Sequence, residues 1–192
     1  MGQLSMFSAE TDEPSIDDLA GVLATAGQIV LTAQGVRLSV VVADDWRAHA
    51  LAVEFERCGV AGEISLSSEG SPIVGTVKTA ELDDLYRTWT KGAIKTMPAN
   101  WVPGPRALRL WVIAAGRRDA ERYVLGLDPH APDSHGALAT AVMRAGIAPT
   151  LIGTRGTNPA LRIAGKRRLS RLIESIGEPP DISGAAAHWP FV

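Results

Sequence analysis

The feature that most constrains the fold is a short pattern that occurs twice. The segment Arg-Cys-Gly-Val-Ala at residues 57–61 returns 87 residues later as Arg-Ala-Gly-Ile-Ala at residues 144–148. Residues 72–77 return at the same spacing as residues 159–164. In both copies the first segment ends an amphipathic stretch and leads into a β-like run. Similarity at a fixed spacing indicates a repeated structural unit, so the chain is predicted to contain two similarly folded halves.

Each half is predicted to alternate helices with pairs of strands. Ser15 is a suitable N-cap with Asp17 and Asp18 in the first turn, and the apolar spacing extends this helix to Gly27. The other elements predicted in the first half are strands 28–32 and 36–43, a helix 44–57, strands 63–66 and 73–78, and a helix 80–91. Those of the second half are a helix 105–115, a strand 123–127, a helix 134–145, strands 150–153 and 161–164, and a helix 166–176. This pattern predicts an α+β fold with antiparallel sheets, a pseudo-two-fold tandem of two αββαββα-type half-domains.

Proline and glycine mark the predicted boundaries. The expected parts are a flexible amino-terminal peptide and linker (1–14), a first half (15–96), a Pro/Gly linker (97–105), a second half (106–178) and a tail (179–192). Trp101 in the linker is expected to pack against one half. The tail is expected to fold back as a hydrophobic patch, with a second docking peptide as the alternative. Because two fused repeats form their own interface, a monomer with an internal pseudo-dimer is expected.

The composition is that of an ordinary globular protein, 46% hydrophobic and 21% charged. No apolar run approaches the roughly twenty residues that span a bilayer, so a cytoplasmic location without a membrane partner is expected. Cys58 is the only cysteine, which excludes an intramolecular disulfide and predicts a small buried side chain. The four histidines lack metal-ligand spacing, so neither a metal nor a cofactor is expected.

Charge is distributed unevenly although the net charge is only −2. Residues 1–103 contain 7 basic and 14 acidic residues, whereas residues 104–177 contain 12 basic and 5 acidic residues. This asymmetry favours a polyanion-facing second half, or a basic face that pairs with the acidic half.

The amino terminus carries an apolar pentapeptide, Gln3-Leu4-Ser5-Met6-Phe7. It resembles the bacterial sliding-clamp-binding motif Q-L-(S/D)-L-F, in which the glutamine reaches a polar subsite and the last two side chains fill an apolar pocket. The resemblance implies that the DNA polymerase III sliding clamp is a partner. The polar residues 8–14 read as a tether that places the peptide about 25 Å from the body. The alternative is a terminus whose apolar side chains fold onto the domain.

Residues 19–27 resemble the LAGLIDADG signature of homing endonucleases, matching its leucine, its alanine and both glycines. In that family two such helices pack through their small residues, and each ends in an acidic residue that binds a catalytic divalent metal. Here the two acidic places hold Ala24 and Ala26. The first half is therefore expected to lack its metal ligand.

A second, weaker copy of this signature lies at residues 114–122, where Asp119 and Glu121 fall at the acidic places. Glu121 is the metal ligand only if the chain is a metal-dependent DNA endonuclease. One acid among several arginines does not hold the two metals that phosphodiester cleavage uses. A non-catalytic protein is expected, and the endonuclease is the alternative.

Residues 15–179 also resemble the WhiA family of actinobacterial and firmicute regulators, which carry a degenerate LAGLIDADG domain before a helix-turn-helix. The helix-turn-helix has no counterpart in this chain. The resemblance implies an alternative function as a transcription regulator that works through another protein.

In homing endonucleases DNA lies across the strands of both halves. The resemblance therefore implies DNA as a possible partner and a nucleoid-associated location. The DNA-contacting candidates are Arg37, Arg117, Arg118, Arg122, Arg155, Arg162, Lys166, Arg167, Arg168 and Arg171. Such side chains contribute mainly phosphate contacts. The leading hypothesis is a non-catalytic adaptor in DNA replication or repair that docks on the clamp through residues 3–7. For residues 166–171, a solvated helix face is an equal alternative.

Overall fold

The first half has the predicted order of elements. The structure, a computed structural model, describes residues 8–192. The elements of the first half are a 3₁₀ turn (Ile16–Leu19), α1 (Ala20–Leu23), β1 (Gln28–Thr32), β2 (Gly35–Val41), α2 (Asp45–Arg57), β3 (Gly62–Leu66), β4 (Pro72–Thr76), a 3₁₀ turn (Ala80–Leu82) and α3 (Asp83–Trp89). A small hairpin, β5 (Thr90–Lys91) and β6 (Ile94–Lys95), follows it.

The second half repeats this order and is followed by the tail. Its elements are α4 (Pro105–Ala115), β7 (Gly116–Asp119), β8 (Arg122–Gly126), a 3₁₀ turn (Pro132–Ser134), α5 (His135–Arg144), β9 (Thr150–Ile152), β10 (Ala160–Ala164) and α6 (Lys166–Ile176), with α7 (Ala185–His188) in the tail.

The two four-stranded sheets have the same topology. The first sheet has the order β1-β2-β4-β3 and the second sheet β7-β8-β10-β9, with antiparallel neighbours throughout. A row of paired residues, Gln28–Ser39–Gly75–Glu63, crosses the first sheet. The corresponding row of the second sheet is Arg117–Val124–Arg162–Thr150. The predicted α+β class and the repeated antiparallel sheets are confirmed.

The first hairpins of the two halves differ in length. Gln28 pairs with Ser39, eleven residues further on, whereas Arg117 pairs with Val124, seven residues further on. The β7–β8 hairpin is therefore four residues shorter than β1–β2. Its tight turn places Ala120 at φ 52°, a left-handed conformation that side chains other than glycine rarely adopt.

Two differences between the predicted and observed elements lie beside the central helices. The helix predicted from Ser15 to Gly27 is a 3₁₀ turn followed by the single α-turn of α1, because the Thr25 hydroxyl donates to the Val22 carbonyl at 2.6 Å and the chain then turns into β1. Strand β7 was not predicted, since its adjacent arginines hide the alternation typical of a half-buried strand.

Residues 8–14 do not form the predicted free tether. Ser8 and Ala9 are buried. The Ala9 amide donates to the Ser175 carbonyl at 2.8 Å, and Arg106 donates to the Ala9 carbonyl at 3.0 Å. These contacts anchor the chain against α4 and α6 from Ser8 onward.

The tail folds back onto the body, as predicted. Trp189 is buried and its indole nitrogen donates to the Gly177 carbonyl at 2.9 Å. The Tyr123 hydroxyl donates to the His188 carbonyl at 3.0 Å. Trp101 also packs as predicted, and its ring lies 5.0 Å from the Trp89 ring of the first half and 6.4 Å from the Trp111 ring of the second.

A buried ionic cluster also joins the halves. Glu54 of α2 accepts hydrogen bonds from Arg106 at 2.7 Å and Arg109 at 3.1 Å, both on α4. Arg109 also donates a hydrogen bond to the Ile176 carbonyl at 2.8 Å, and this bond fixes the end of α6. Within residues 8–192, no helix has the length and apolar character needed to cross a membrane.

Candidate nucleic-acid interface

The helices α1 and α4 meet at the centre of the molecule, between the two sheets. A Cβ atom on Gly21 would lie 1.9 Å from the Ala107 carbonyl oxygen, so the two backbones touch and the site accepts glycine alone. Ala20 and Ala24 of the same motif are also buried. The small residues of the motif thus bring the carboxyl ends of the two helices to equivalent places beside the sheets.

Both helix ends lack an acidic side chain at the places where the LAGLIDADG resemblance implies metal ligands. Gln28 and Arg117 occupy the same position in their sheets, which makes Gly116 the counterpart of Gly27. Ala115 is then the counterpart of Ala26. The predicted second motif at 114–122 is therefore in the wrong register, because α4 ends at Ala115 and the chain continues as β7.

Asp119 and Glu121 consequently lie four and six residues beyond the helix end at Ala115. Asp119 ends β7, and Glu121 stands in the exposed turn before β8. The structure therefore contradicts the placement of Glu121 as a metal ligand at the pseudo-dyad. In the described part of the chain, no three histidine, cysteine, aspartate or glutamate side chains form a potential metal site.

A buried arginine closes the carboxyl end of α4. Arg47 of α2 donates to the carbonyl oxygens of Val112 at 3.3 Å, Ile113 at 2.8 Å and Gly116 at 2.7 Å. Its Nε donates to the Asp44 carboxylate at 2.9 Å. A cation is favoured here because the last carbonyls of a helix have no intrahelical partner and carry partial negative charge.

A buried lysine occupies the corresponding place at the end of α1. Lys95 Nζ donates to the carbonyl oxygens of Thr25 at 2.7 Å and Gly27 at 2.8 Å. Its ammonium group also pairs with the Asp128 carboxylate at 2.5 Å, and both side chains are almost fully buried. Each central helix thus ends on a cation supplied by the protein, with an aspartate as its counter-ion.

The pKa values at this site follow from burial and from that pairing. Burial lowers the pKa of Lys95, while the hydrogen bond to Asp128 and the charge of Asp128 oppose the shift. Burial alone would raise the pKa of Asp128, but hydrogen bonds from Lys95 and the His130 amide, with the Lys95 charge, lower it overall. The Lys95–Asp128 ion pair thus places a positive group beside the end of α1, where a divalent cation would need acidic ligands.

The outer face of the second sheet, meaning the face turned away from the helices, carries arginines. Tyr123, Leu125, Leu161 and Ile163 face the core and are buried. By the alternation of strands, Arg117, Arg122 and Arg162 lie on the opposite face, with Arg117 and Arg162 in the same row across the sheet. Asp119 also lies on this face, directly opposite Arg122 in the sheet, but no ion pair found within residues 8–192 includes any of the three arginines.

The outer face of the first sheet is different. It carries one arginine, Arg37, whose Nη2 lies 3.6 Å from the Glu63 carboxylate. Arg37 lies over Gly75, where a Cβ would come within 3.1 Å of its guanidinium. The neighbouring Val30 and Val41 on this face are about half exposed. The two halves therefore present unlike surfaces, a neutral apolar one and a basic one.

The remaining basic candidates separate into three groups. Arg118 binds the tail. It donates to the carbonyl oxygens of Trp189 at 2.7 Å and Ala186 at 3.0 Å and stacks on Phe191. Arg155 lies in an exposed loop. The four cations of α6 line a separate groove: Lys166, Arg167, Arg168 and Arg171.

The clamp-motif residues Gln3, Leu4, Ser5, Met6 and Phe7 lie outside the described residues. The residues that sequence reasoning missed are Arg47, Lys95 and Asp128. Each joins groups that are distant in sequence, as in the Lys95 to Thr25 bond across 70 residues. The sequence contains a local signal only for Arg47. It follows Asp44 by three residues, a spacing at which the two side chains of a helix can form an ion pair.

The fold is shared with proteins of known structure. The chain is similar to the homing endonuclease I-WcaI bound to its DNA recognition sequence, with a TM-score of 0.61 and 11% identity over 97% of this chain and 88% of that one. It is also similar to the N-terminal LAGLIDADG domain of DUF199/WhiA, with a TM-score of 0.57 and 12% identity over 95% and 97% of the two chains. It has the LAGLIDADG fold.

The LAGLIDADG core accounts for nearly the whole chain. Against full-length DUF199/WhiA from Thermotoga maritima the TM-score is 0.57 at 12% identity, and the match covers 94% of this chain but 58% of that protein. No family model matches the sequence, and no curated protein matches it significantly.

Proposed function

We propose that this chain is a non-catalytic LAGLIDADG protein that binds DNA with the outer face of its second sheet and is recruited to the DNA polymerase III sliding clamp through residues 3–7. The observation that carries the non-catalytic part is the replacement of both acidic helix ends by Ala26 and Ala115, each beside a cation from the protein. Two-metal cleavage needs clustered acidic ligands, and Lys95 and Arg47 oppose metal binding at both ends.

DNA binding is supported by the arginines of the second sheet and by the solved complex of I-WcaI with its recognition sequence. Arg117, Arg122 and Arg162 supply positive charge for contacts to phosphates, which gives affinity and salt dependence. The neutral outer face of the first sheet supplies little of this attraction. DNA therefore lies off the pseudo-two-fold axis, toward the second half.

Clamp recruitment is supported by the motif at residues 3–7. Because Ser8 and Ala9 are anchored at the carboxyl end of α6, the bound clamp would lie directly beside the body instead of about 25 Å away. The proposal therefore includes a fixed orientation of the DNA-binding face relative to the clamp.

The test of DNA binding is fluorescence anisotropy with a labelled duplex at several salt concentrations. The sheet variant Arg117→Gln/Arg122→Gln/Arg162→Gln should bind at least tenfold more weakly and reduce the slope of log K against log salt by about 2.7, at about 0.9 for each phosphate contact. The matched control, Lys78→Gln/Arg87→Gln/Lys91→Gln, removes the same charge from exposed positions of the first half and should bind like wild type. Equal loss in both variants would mean that only net charge matters.

The test of recruitment is calorimetric titration of the protein into sliding clamp, compared with Gln3→Ala/Phe7→Ala. Micromolar or tighter binding that disappears in the variant supports the proposal, and no binding by wild type refutes the clamp part. Magnesium-dependent cleavage of DNA that is lost in Glu121→Ala would instead support the endonuclease alternative.

A WhiA-like regulator is a second candidate because the chain covers 97% of the WhiA LAGLIDADG domain. It predicts promoter occupancy in cells that survives deletion of residues 1–7. Occupancy that disappears with this deletion favours the clamp-recruited protein.

A further inference from the structure

A second basic surface lies on the helical side of the molecule. A groove of about 980 Å³ runs between Gly146, Ala148 and the amino-terminal half of α6. Lys166, Arg167, Arg168 and Arg171 line it and are exposed. Among residues 8–192, Arg171 alone of these four has an ion-pair partner, Glu174 at 3.9 Å.

The corresponding helix of the first half carries the opposite charge. By the 87-residue spacing, Arg168 and Arg171 occupy the places of Glu81 and Asp84, and Lys166 that of the N-cap Thr79. Acidic groups stabilise the first turn of a helix and basic groups destabilise it. Lys166, Arg167 and Arg168 lie in the first turn of α6, where basic groups are unfavourable, so helix stability does not explain these three side chains.

The groove and the arginines of the second sheet face different directions. Leu169 and Leu172 bury the inner side of α6, which packs on α4 and β10. Arg162 of β10 lies on the outer face of the sheet. The two basic surfaces meet only at one edge, where Arg122 and Lys166 line a depression of about 390 Å³.

One duplex reaches both surfaces only if it bends sharply. Duplex DNA has a persistence length of about 150 base pairs, so a sharp bend within a short site costs free energy, and the path from the sheet to the groove turns around the edge where Arg122 and Lys166 meet. Two separate segments use all of the cations without this cost.

We propose that the α6 groove binds the sugar-phosphate backbone of a second nucleic-acid segment, so that one copy of the protein bridges two segments. The inference rests on the proposed binding of DNA by the second sheet. The groove is suited to phosphates because guanidinium and ammonium groups line it, and such groups form charge-assisted hydrogen bonds with phosphate oxygens.

The test uses the full chain, a duplex fixed to beads and a second, labelled duplex in solution. The groove variant Lys166→Gln/Arg167→Gln/Arg168→Gln should keep its affinity for one duplex within threefold of wild type and should capture at least tenfold less of the second. The control variant Lys78→Gln/Arg87→Gln/Lys91→Gln should capture it normally. Native mass spectrometry should show one protein with two short duplexes for wild type and with one for the groove variant.

Several outcomes overturn the proposal. Normal capture by the folded groove variant would show that the groove is not a site, and capture by protein pairs alone would assign bridging to self-association. Complete loss of single-duplex binding in both the groove and sheet variants would indicate one continuous site. Binding of one duplex by wild type without capture of a second would refute bridging and leave the proposed function intact. Absence of any DNA binding would refute both, and the clamp titration would still report recruitment separately.

Discussion

The Arg47 guanidinium lies 2.7 Å from the carbonyl oxygen of Gly116, and so a side chain of the first half closes the central helix of the second. Lys95 makes the corresponding contact with Gly27 at 2.8 Å. Carbonyl oxygens at the ends of both central helices thus accept hydrogen bonds from cationic side chains of the protein. At these ends the LAGLIDADG resemblance implies carboxylates and metal ions.

Removal of the Arg47 charge should destabilise the protein strongly. Arg47→Met keeps the length of the side chain but leaves the Val112, Ile113 and Gly116 carbonyls without this donor, which should lower the free energy of unfolding by about 3 kcal/mol. Urea unfolding measures this change. The matched variant Arg87→Met, which loses an exposed pair with Asp84, should cost at most about 1 kcal/mol. Equal effects in the two variants would contradict the role given to Arg47.

Asp128 should make stability depend on pH in the acid range. Its pKa is below the usual value of about 3.9 in the folded protein, so its contribution is complete above that value and is lost as the pH falls through the lower folded pKa. Asp128→Asn should therefore be less stable than wild type at pH 7 by about 3 kcal/mol. In urea titrations from pH 7 to pH 3, that difference should stay constant down to about pH 5 and then shrink. A difference that grows on acidification would contradict the lowered pKa of Asp128.

The contact between α1 and α4 should not tolerate a methyl group. Gly21→Ala places a Cβ at 1.9 Å from the Ala107 carbonyl oxygen and should lower the free energy of unfolding by about 3 kcal/mol or prevent folding. Gly136→Ala in α5 is a suitable control, because no atom lies within 4 Å of the added Cβ. That change should raise stability by up to about 1 kcal/mol. Thermal unfolding measures both effects. Melting temperatures that shift in the same direction in the two variants would contradict the close contact between α1 and α4.

Cys58 should be chemically inert in the folded protein. Its side chain is buried, and burial raises the pKa of the thiol to about 11. Since the thiolate is the reactive form, alkylation by iodoacetamide at pH 8 should be at least about 100-fold slower than in urea-unfolded protein. Mass spectrometry of timed samples measures both rates, and similar rates would contradict the burial of Cys58.

Elements with a clear local signal could be predicted from the sequence. Helix α4 has its predicted bounds because Pro105 suits the first turn and residues 110–115 form an unbroken apolar run. Strand β7 of the second sheet is harder to predict, because the adjacent Arg117 and Arg118 do not alternate between apolar and polar residues. Arg117 faces outward, whereas Arg118 donates a hydrogen bond to the tail. Only the pairing of β7 with β8 shows which arginine has which role.

The candidate site was predicted in part. The missing acids at Ala24 and Ala26 are visible in the sequence, and so are most of the arginines of the second sheet. The counterpart at Ala115 required the structure, because insertions and deletions shift the spacing of the two motifs. Lys95 and Asp128 meet only through tertiary folding, so no local pattern indicates their pairing.

The unequal hairpins give the molecule a lopsided rim. Since β1–β2 has two more residues in each arm than β7–β8, its tip extends about 7 Å further from the shared frame. On the outer face this longer arm carries Val30, 48% exposed, directly opposite Arg37. A rod resting across both sheets would meet a raised lip at one end and a low basic shelf at the other, so it would lie inclined, and the left and right ends of a symmetric DNA sequence would be inequivalent to this protein.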